Sequence, residues 1–191
     1  WGRKSNWIPT FCGTAGSLAV EGMLLAPVGE RGFLYQLTVR STSDKPLSST
    51  FGLEGCWASA WHCVNEDKEI DGARRCYTSL WNDSLIFDMR CGLPLFAFAP
   101  MMDQPCSSTF QETDAGIVYR LAHACTLEPG EAVTVTFYWG VGFEEVAAAT
   151  SAKEMLRQGW QHELQVTTDW LDARRWPIPD AQLERLYNTN L

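Results

Sequence analysis

The chain holds 191 residues, 46% of them hydrophobic and 20% charged, with a net charge of −8 and an isoelectric point near 4.8. That is enough apolar side chain for one ordinary domain with a core, and it excludes disorder as the dominant state. An acidic surface repels phosphate backbones, which argues against nucleic acid as a partner, and no apolar run approaches the roughly 18 residues of a membrane span.

Residues 16–142 read as β. Gly16 to Leu25 is a short run with Leu18, Val20 and Leu24 sharing parity, and after a turn at Gly29–Gly32 the residues Phe33, Tyr35, Leu37 and Val39 fall on one strand face. Ser43-Asp44-Lys45-Pro46 is a further turn. Strand-like segments follow at Phe51–Val64, Leu80–Met89 and Leu93–Ala99. Ile117–Thr126 and Ala132–Gly140 close the series, joined by the turn Glu128-Pro129-Gly130-Glu131. Strands at spacings of about 8–15 residues, with no helical pattern between them, predict antiparallel sheets packed as a sandwich.

At residue 143 the period changes. Val146, Ala149, Ala152, Leu156, Trp160, Leu164, Thr167 and Leu171 recur every three or four residues, which predicts one long helix over 143–176. Glu144 and Glu145 suit its start and Arg174 and Arg175 its end. Trp176-Pro177-Ile178-Pro179 stops it, and Asp180 is the expected N-cap of a second helix over 177–191, with Leu183, Leu186, Tyr187 and Leu191 on one face. The fold class is therefore mainly β: an antiparallel two-sheet supersandwich (1–142), a long C-terminal linker helix (143–176) and the start of a second helix (177–191). The two ends, Trp1-Gly2-Arg3-Lys4 and Asn190-Leu191, read as cuts in a longer polypeptide.

Chemistry-bearing residues are many but poorly clustered in sequence. The seven Cys contain no C-x-x-C pair, so zinc-ribbon and thioredoxin-like readings fail, and free thiols in a cytoplasmic protein are expected. Trp139-Gly140-Val141-Gly142 leads from strand to helix. Glu145 stands where a dinucleotide turn needs its third glycine, so the glycines are read as letting a strand turn into a helix. Asp67-Lys-Glu69-Ile-Asp71-Gly72 lacks the twelfth-position Glu of a calcium loop and reads as a hairpin turning at Asp71-Gly72. His62-Cys63 and His123/Cys125 read as ordinary strand residues, and there is no G-x-S-x-G. The pairs Glu144/Glu145, Asp169/Asp172 and Asp180/Glu184 lie on helix ends and faces, not across a pocket as glycoside hydrolysis requires. No catalytic residue, metal or cofactor is expected. Nine Trp are a high count, and flat rings suit sugar C–H faces as well as cores. Trp57, Trp61 and Trp81, near strand ends, are the candidate carbohydrate contacts.

The last fifty residues carry a resemblance. A strand Val133–Gly140, a helix with Gly159-Trp160 and Thr168-Asp-Trp170-Leu171, then Ile178-Pro-Asp180 and Leu183-Glu-Arg-Leu-Tyr-Asn188-Thr-Asn190-Leu191, resemble the N-terminal β-supersandwich, linker helix and opening barrel helix of six-hairpin (α/α)-barrel glycosidases and sugar phosphorylases. Thr189 stands where the usual form has an aromatic. The resemblance implies that the acid and base carboxylates lie in a barrel beyond residue 191. It also implies a parent enzyme, a glycosidase or sugar phosphorylase, that inverts α-linked glucosides or related sugars. The sandwich would then pack on its own barrel through Leu156, Trp160, Leu164, Trp170, Leu183, Leu186 and Tyr187. Two other roles stay open: an autonomous carbohydrate-binding module, and a structural sandwich mediating a homodimer.

Overall fold

Eight strands build one antiparallel sheet. The computed structural model describes residues 1–4, 7–58, 61–62, 68–69, 73–80, 84–90 and 96–188, the side chains of 61, 62, 68, 69, 73, 89, 90 and 96 excepted. Strands β1 (Gly2–Lys4), β2 (Ile8–Ala15), β3 (Leu18–Leu25) and β4 (Gly32–Ser41) form a meander. The chain then leaves through β5 (Leu47–Trp57) and a two-stranded ribbon, β6 (Trp61–His62) with β7 (Lys68–Glu69). It returns through β8 (Ala73–Thr78), β9 (Leu85–Arg90) and β10 (Phe96–Met102), leaves again as β11 (Ser107–Thr113) and β12 (Gly116–Leu127), and returns as β13 (Ala132–Gly142). The large sheet runs β1-β2-β3-β4-β13-β10-β9-β8 and the small one β11-β12-β5. The fold is thus mainly β with its helices at the C-terminal end, as the strand spacing predicts.

Parity on β13 shows why both faces are needed. Val133, Val135, Phe137 and Trp139 point to the small sheet and join a core with Phe87, Leu121, Ile117 and Met102. Val39, Phe51 and Leu127 close the far end of the same interlayer. Tyr138, on the other parity, meets Ile8, Met23, Leu25, Leu34, Met155 and Leu164 beneath the helices. A sheet buried on both faces reads as near-continuous apolar sequence, and Val133–Trp139 departs from that only at its threonines.

Three helices follow: α1 (Glu145–Gln158), α2 (Trp160–Asp172) and α3 (Ala181–Asn188). The single helix expected over 143–176 is therefore two. Gly159, at φ 85° and ψ 152°, closes α1 by donating its N–H to Met155 and opens α2 by accepting from Glu163. That backbone region belongs essentially to glycine alone. Glu144 and Glu145 do start α1, whereas Val146 stands exposed instead of in the buried stripe.

Other boundaries differ in smaller ways. The segment expected over 51–64 ends as a strand at Trp57, and Leu80, the expected start of the next strand, is fully exposed in a turn before β9. The Glu128–Glu131 turn forms as expected: the Glu131 N–H donates to the Glu128 carbonyl and the Glu131 carboxylate accepts from the Glu128 N–H. The turn at Asp71-Gly72 lies outside the described residues.

Gly140 and Gly142 have a stronger reason than chain reversal. A Cβ on Gly140 would stand 1.9 Å from the Ala148 carbonyl oxygen, and one on Gly142 2.6 Å from the Ala148 nitrogen. The strand is bare there so that α1 can lie directly on it, Ala148, Ala149 and Ala152 against Ala97 and Ala99.

Candidate functional site

Aromatic rings collect at one open end of the sandwich. Trp57 ends β5, half-buried, and meets Phe87 and Phe98 edge-on at 5.6 and 6.1 Å. Phe33 stacks on Trp139 at 5.6 Å, and Tyr119 meets Phe87 at 4.7 Å. With Cys56 these rings line a pocket of about 280 Å³. Burial raises the Tyr119 phenol, leaving it a neutral hydroxyl at physiological pH. Of the three candidate sugar contacts, Trp57 is in this pocket. Trp61 belongs to the β6 ribbon, its ring outside the described side chains, and Trp81 lies outside the described residues.

The residues expected to pack between domains separate into two sets. Leu164 is buried and Leu156 and Trp160 are half-buried against the large sheet, so these serve the sandwich itself. Trp170, Leu183, Leu186 and Tyr187 are 41–63% exposed. Arg174 lies over the Trp170 ring at 3.7 Å and donates to the Trp170 carbonyl, closing α2. An apolar cleft of about 350 Å³, bordered by Leu24, Phe33 and Trp170, opens beside it.

Asp180 caps α3 as expected, its Oδ1 accepting from the N–H groups of Gln182 and Leu183 at 2.9 and 3.0 Å. A second device was not anticipated. Asn188 is fully buried, accepts from the Trp176 N–H at 2.8 Å, and donates to the carbonyls of Trp176 and Glu184 at 3.0 and 2.9 Å. Arg175 pairs with Glu184 at 2.7 Å. These contacts tie α3 to the chain just before it, so its exposed face is held in place. Asn188 stands in the quoted Leu-Tyr-Asn motif, and that was the available signal.

Several of the carboxylates noted in sequence have structural partners. Glu145 accepts from Tyr77 and Ser79 at 3.1 and 2.7 Å, fastening α1 to the β8 edge, and Asp169 accepts from Gln165. Glu163 belongs to no sequence motif: it is buried, one oxygen lacks a hydrogen-bond partner, and desolvation, then the charge of Glu30, raises its pKa. Cys125 packs against the core at Val39 and Leu127, and half-buried His123 has its Nδ1 2.8 Å from the Pro105 carbonyl. Cys12, Cys56, Cys76, Cys106 and Cys125 are free thiols, Cys76 pushed up to about 12 by burial, which makes it a core residue and not a nucleophile. Among the described residues no three His, Cys, Asp or Glu side chains are grouped to hold a metal, and no helix is long and apolar enough to cross a membrane.

The geometry defines a class: a two-sheet sandwich with a helical layer on the outer face of its larger sheet and an apolar helix face left exposed. No family model and no curated protein matches the chain. Chains of solved structures do, among them one assigned as a kojibiose phosphorylase from the human microbiome, at a TM-score of 0.61 and 12% identity. The match covers 85% of this chain and 22% of that one, so the chain spans about a fifth of its neighbour's length.

Proposed function

We propose that the chain is a non-catalytic β-supersandwich domain of a carbohydrate-active enzyme, whose role is to pack on and support an (α/α)-barrel that carries the chemistry. The observation that carries this reading is coverage: nearly the whole chain aligns with about a fifth of a sugar phosphorylase. The exposed face of Leu183 and Tyr187, held by the Asn188 and Asp180 hydrogen bonds, supports it, because a fixed apolar face suits a permanent neighbour. The parent reaction in this reading is inverting cleavage of an α-linked glucoside or related sugar by water or phosphate.

The test is to read the coding sequence beyond Leu191 and assay its product for glucose or glucose phosphate release from α-glucosides. A barrel with paired acidic residues and activity in the long product only, with 1–191 inert, is the expected result. Turnover by 1–191 itself, or no barrel in the gene, overturns the reading. A binding module built on Trp57 has the open aromatic pocket beside that ring in its favour. Against it, the ring is already engaged by Phe87 and Phe98.

A further inference from the structure

The helices leave part of the large sheet uncovered. α2 packs over the row that contains Ile8, Leu25, Leu34 and Tyr138. Two residues further along each strand the same face turns polar. Register sets Thr10 against Met23, Met23 against Gln36 and Gln36 against Thr136; one step on, Cys12 opposes Glu21, Glu21 opposes Thr38 and Thr38 opposes Thr134. The β2, β3 and β4 members of these rows line a pocket of about 510 Å³, which Trp160 and Leu164 also border.

We propose that this pocket binds a neutral polyhydroxylated ring, a pyranoside of one or two units. The volume lies within the roughly 300–1,000 Å³ of small-molecule sites. The lining offers what a sugar hydroxyl needs, because each hydroxyl both donates and accepts: a carboxylate at Glu21, an amide at Gln36, hydroxyls at Thr10 and Thr38. The floor is ordered before any ligand arrives. The Gln36 amide is nearly buried and donates to Thr38 Oγ1 at 2.6 Å, and Thr38 shares a hydrogen bond with Thr134 at 2.9 Å. Half-buried Trp160 adds the flat apolar surface suited to a ring's C–H face.

Other ligand classes fit less well. Lys4 and Glu21 both line the pocket, so no net field selects an ion, and a phosphate would meet the Glu21 carboxylate. A wholly apolar ligand would leave the amide and hydroxyls facing hydrocarbon. The site lies on the opposite face of the sheet from the aromatic pocket at Trp57. Its ligand class follows from the lining, so it does not rest on the barrel-supporting role.

Calorimetric titration of 1–191 with methyl α-glucoside, maltose and trehalose tests it. At least one sugar is expected to bind with a constant on the order of 1 mM. Binding weakens at least tenfold in Glu21→Ala and in Thr38→Val and is unchanged in Trp57→Ala, with melting curves confirming that each variant folds. No saturation by roughly 50 mM overturns the proposal. So does binding that survives both pocket variants, or is lost instead with Trp57. Sedimentation that shows a dimer dissociated by Glu21→Ala would give the surface to a second copy and overturn it as well. None of these outcomes bears on whether a barrel follows residue 191.

Discussion

A missing methyl group decides where α1 sits. Ala at 140 would drive its Cβ into the Ala148 carbonyl, which belongs to helix backbone and cannot rotate away. Gly140→Ala is expected to cost about 1–3 kcal/mol or more in denaturant unfolding. Gly13→Ala is the control: it faces open space on β2 and should be neutral or stabilising by roughly 0.4–1 kcal/mol. Glu163 sets a second expectation. Burial, then the charges of Glu30 and Glu154, raise its pKa, and His162 lowers it. A carboxyl whose pKa is raised on folding binds more protons folded than unfolded, so stability falls as pH climbs from the ordinary carboxylate value through the raised one. Below that window the penalty is absent. Glu163→Gln should flatten this part of the pH–stability profile and leave the protein more stable at pH 7, measured as melting temperature against pH.

Among elements, the ones legible in sequence are those with an alternating apolar row. β4 shows Phe33, Tyr35, Leu37 and Val39 on alternating positions, and all four fall on the interlayer side. β11 carries no such signal, because every one of its side chains is exposed at a sheet edge and polarity there obeys no period. The helix break escaped for the opposite reason: Leu156, Trp160 and Leu164 keep helical phase across Gly159, and only the backbone dihedral reveals the interruption. The pocket floor was illegible because β2, β3 and β4 bring its residues together by register alone. For α3 the sequence showed the cap and the amphipathic face but not the tie. Asn188→Ala removes three hydrogen bonds made by a fully buried amide, so a cost of about 1–3 kcal/mol is expected. Because only α3 depends on them, the loss should appear as faster hydrogen exchange and proteolysis at 176–188, with the sandwich's melting unchanged.

At the scale of the whole molecule, the two faces of the large sheet have different tasks, one closing the interlayer core and the other receiving α1 and α2. The central strand of that sheet is also the last to be made. β13 pairs with β4 across partners about 90–110 residues apart in the chain, and such distant pairing slows folding. Until residues 132–142 leave the ribosome, β1–β4 form a four-stranded meander with an open, apolar edge along Gly32–Ser41. Such an edge is a template for any other extended chain. Refolding from denaturant should therefore be slow, on the order of milliseconds to seconds or longer, and its yield should fall as protein concentration rises. A chain stopped before residue 132 should be captured by chaperones or precipitate, while one carried through Gly142 should stay in solution. For this protein the hazard of synthesis is a matter of timing: the strand that seals the sheet arrives after every strand it must join.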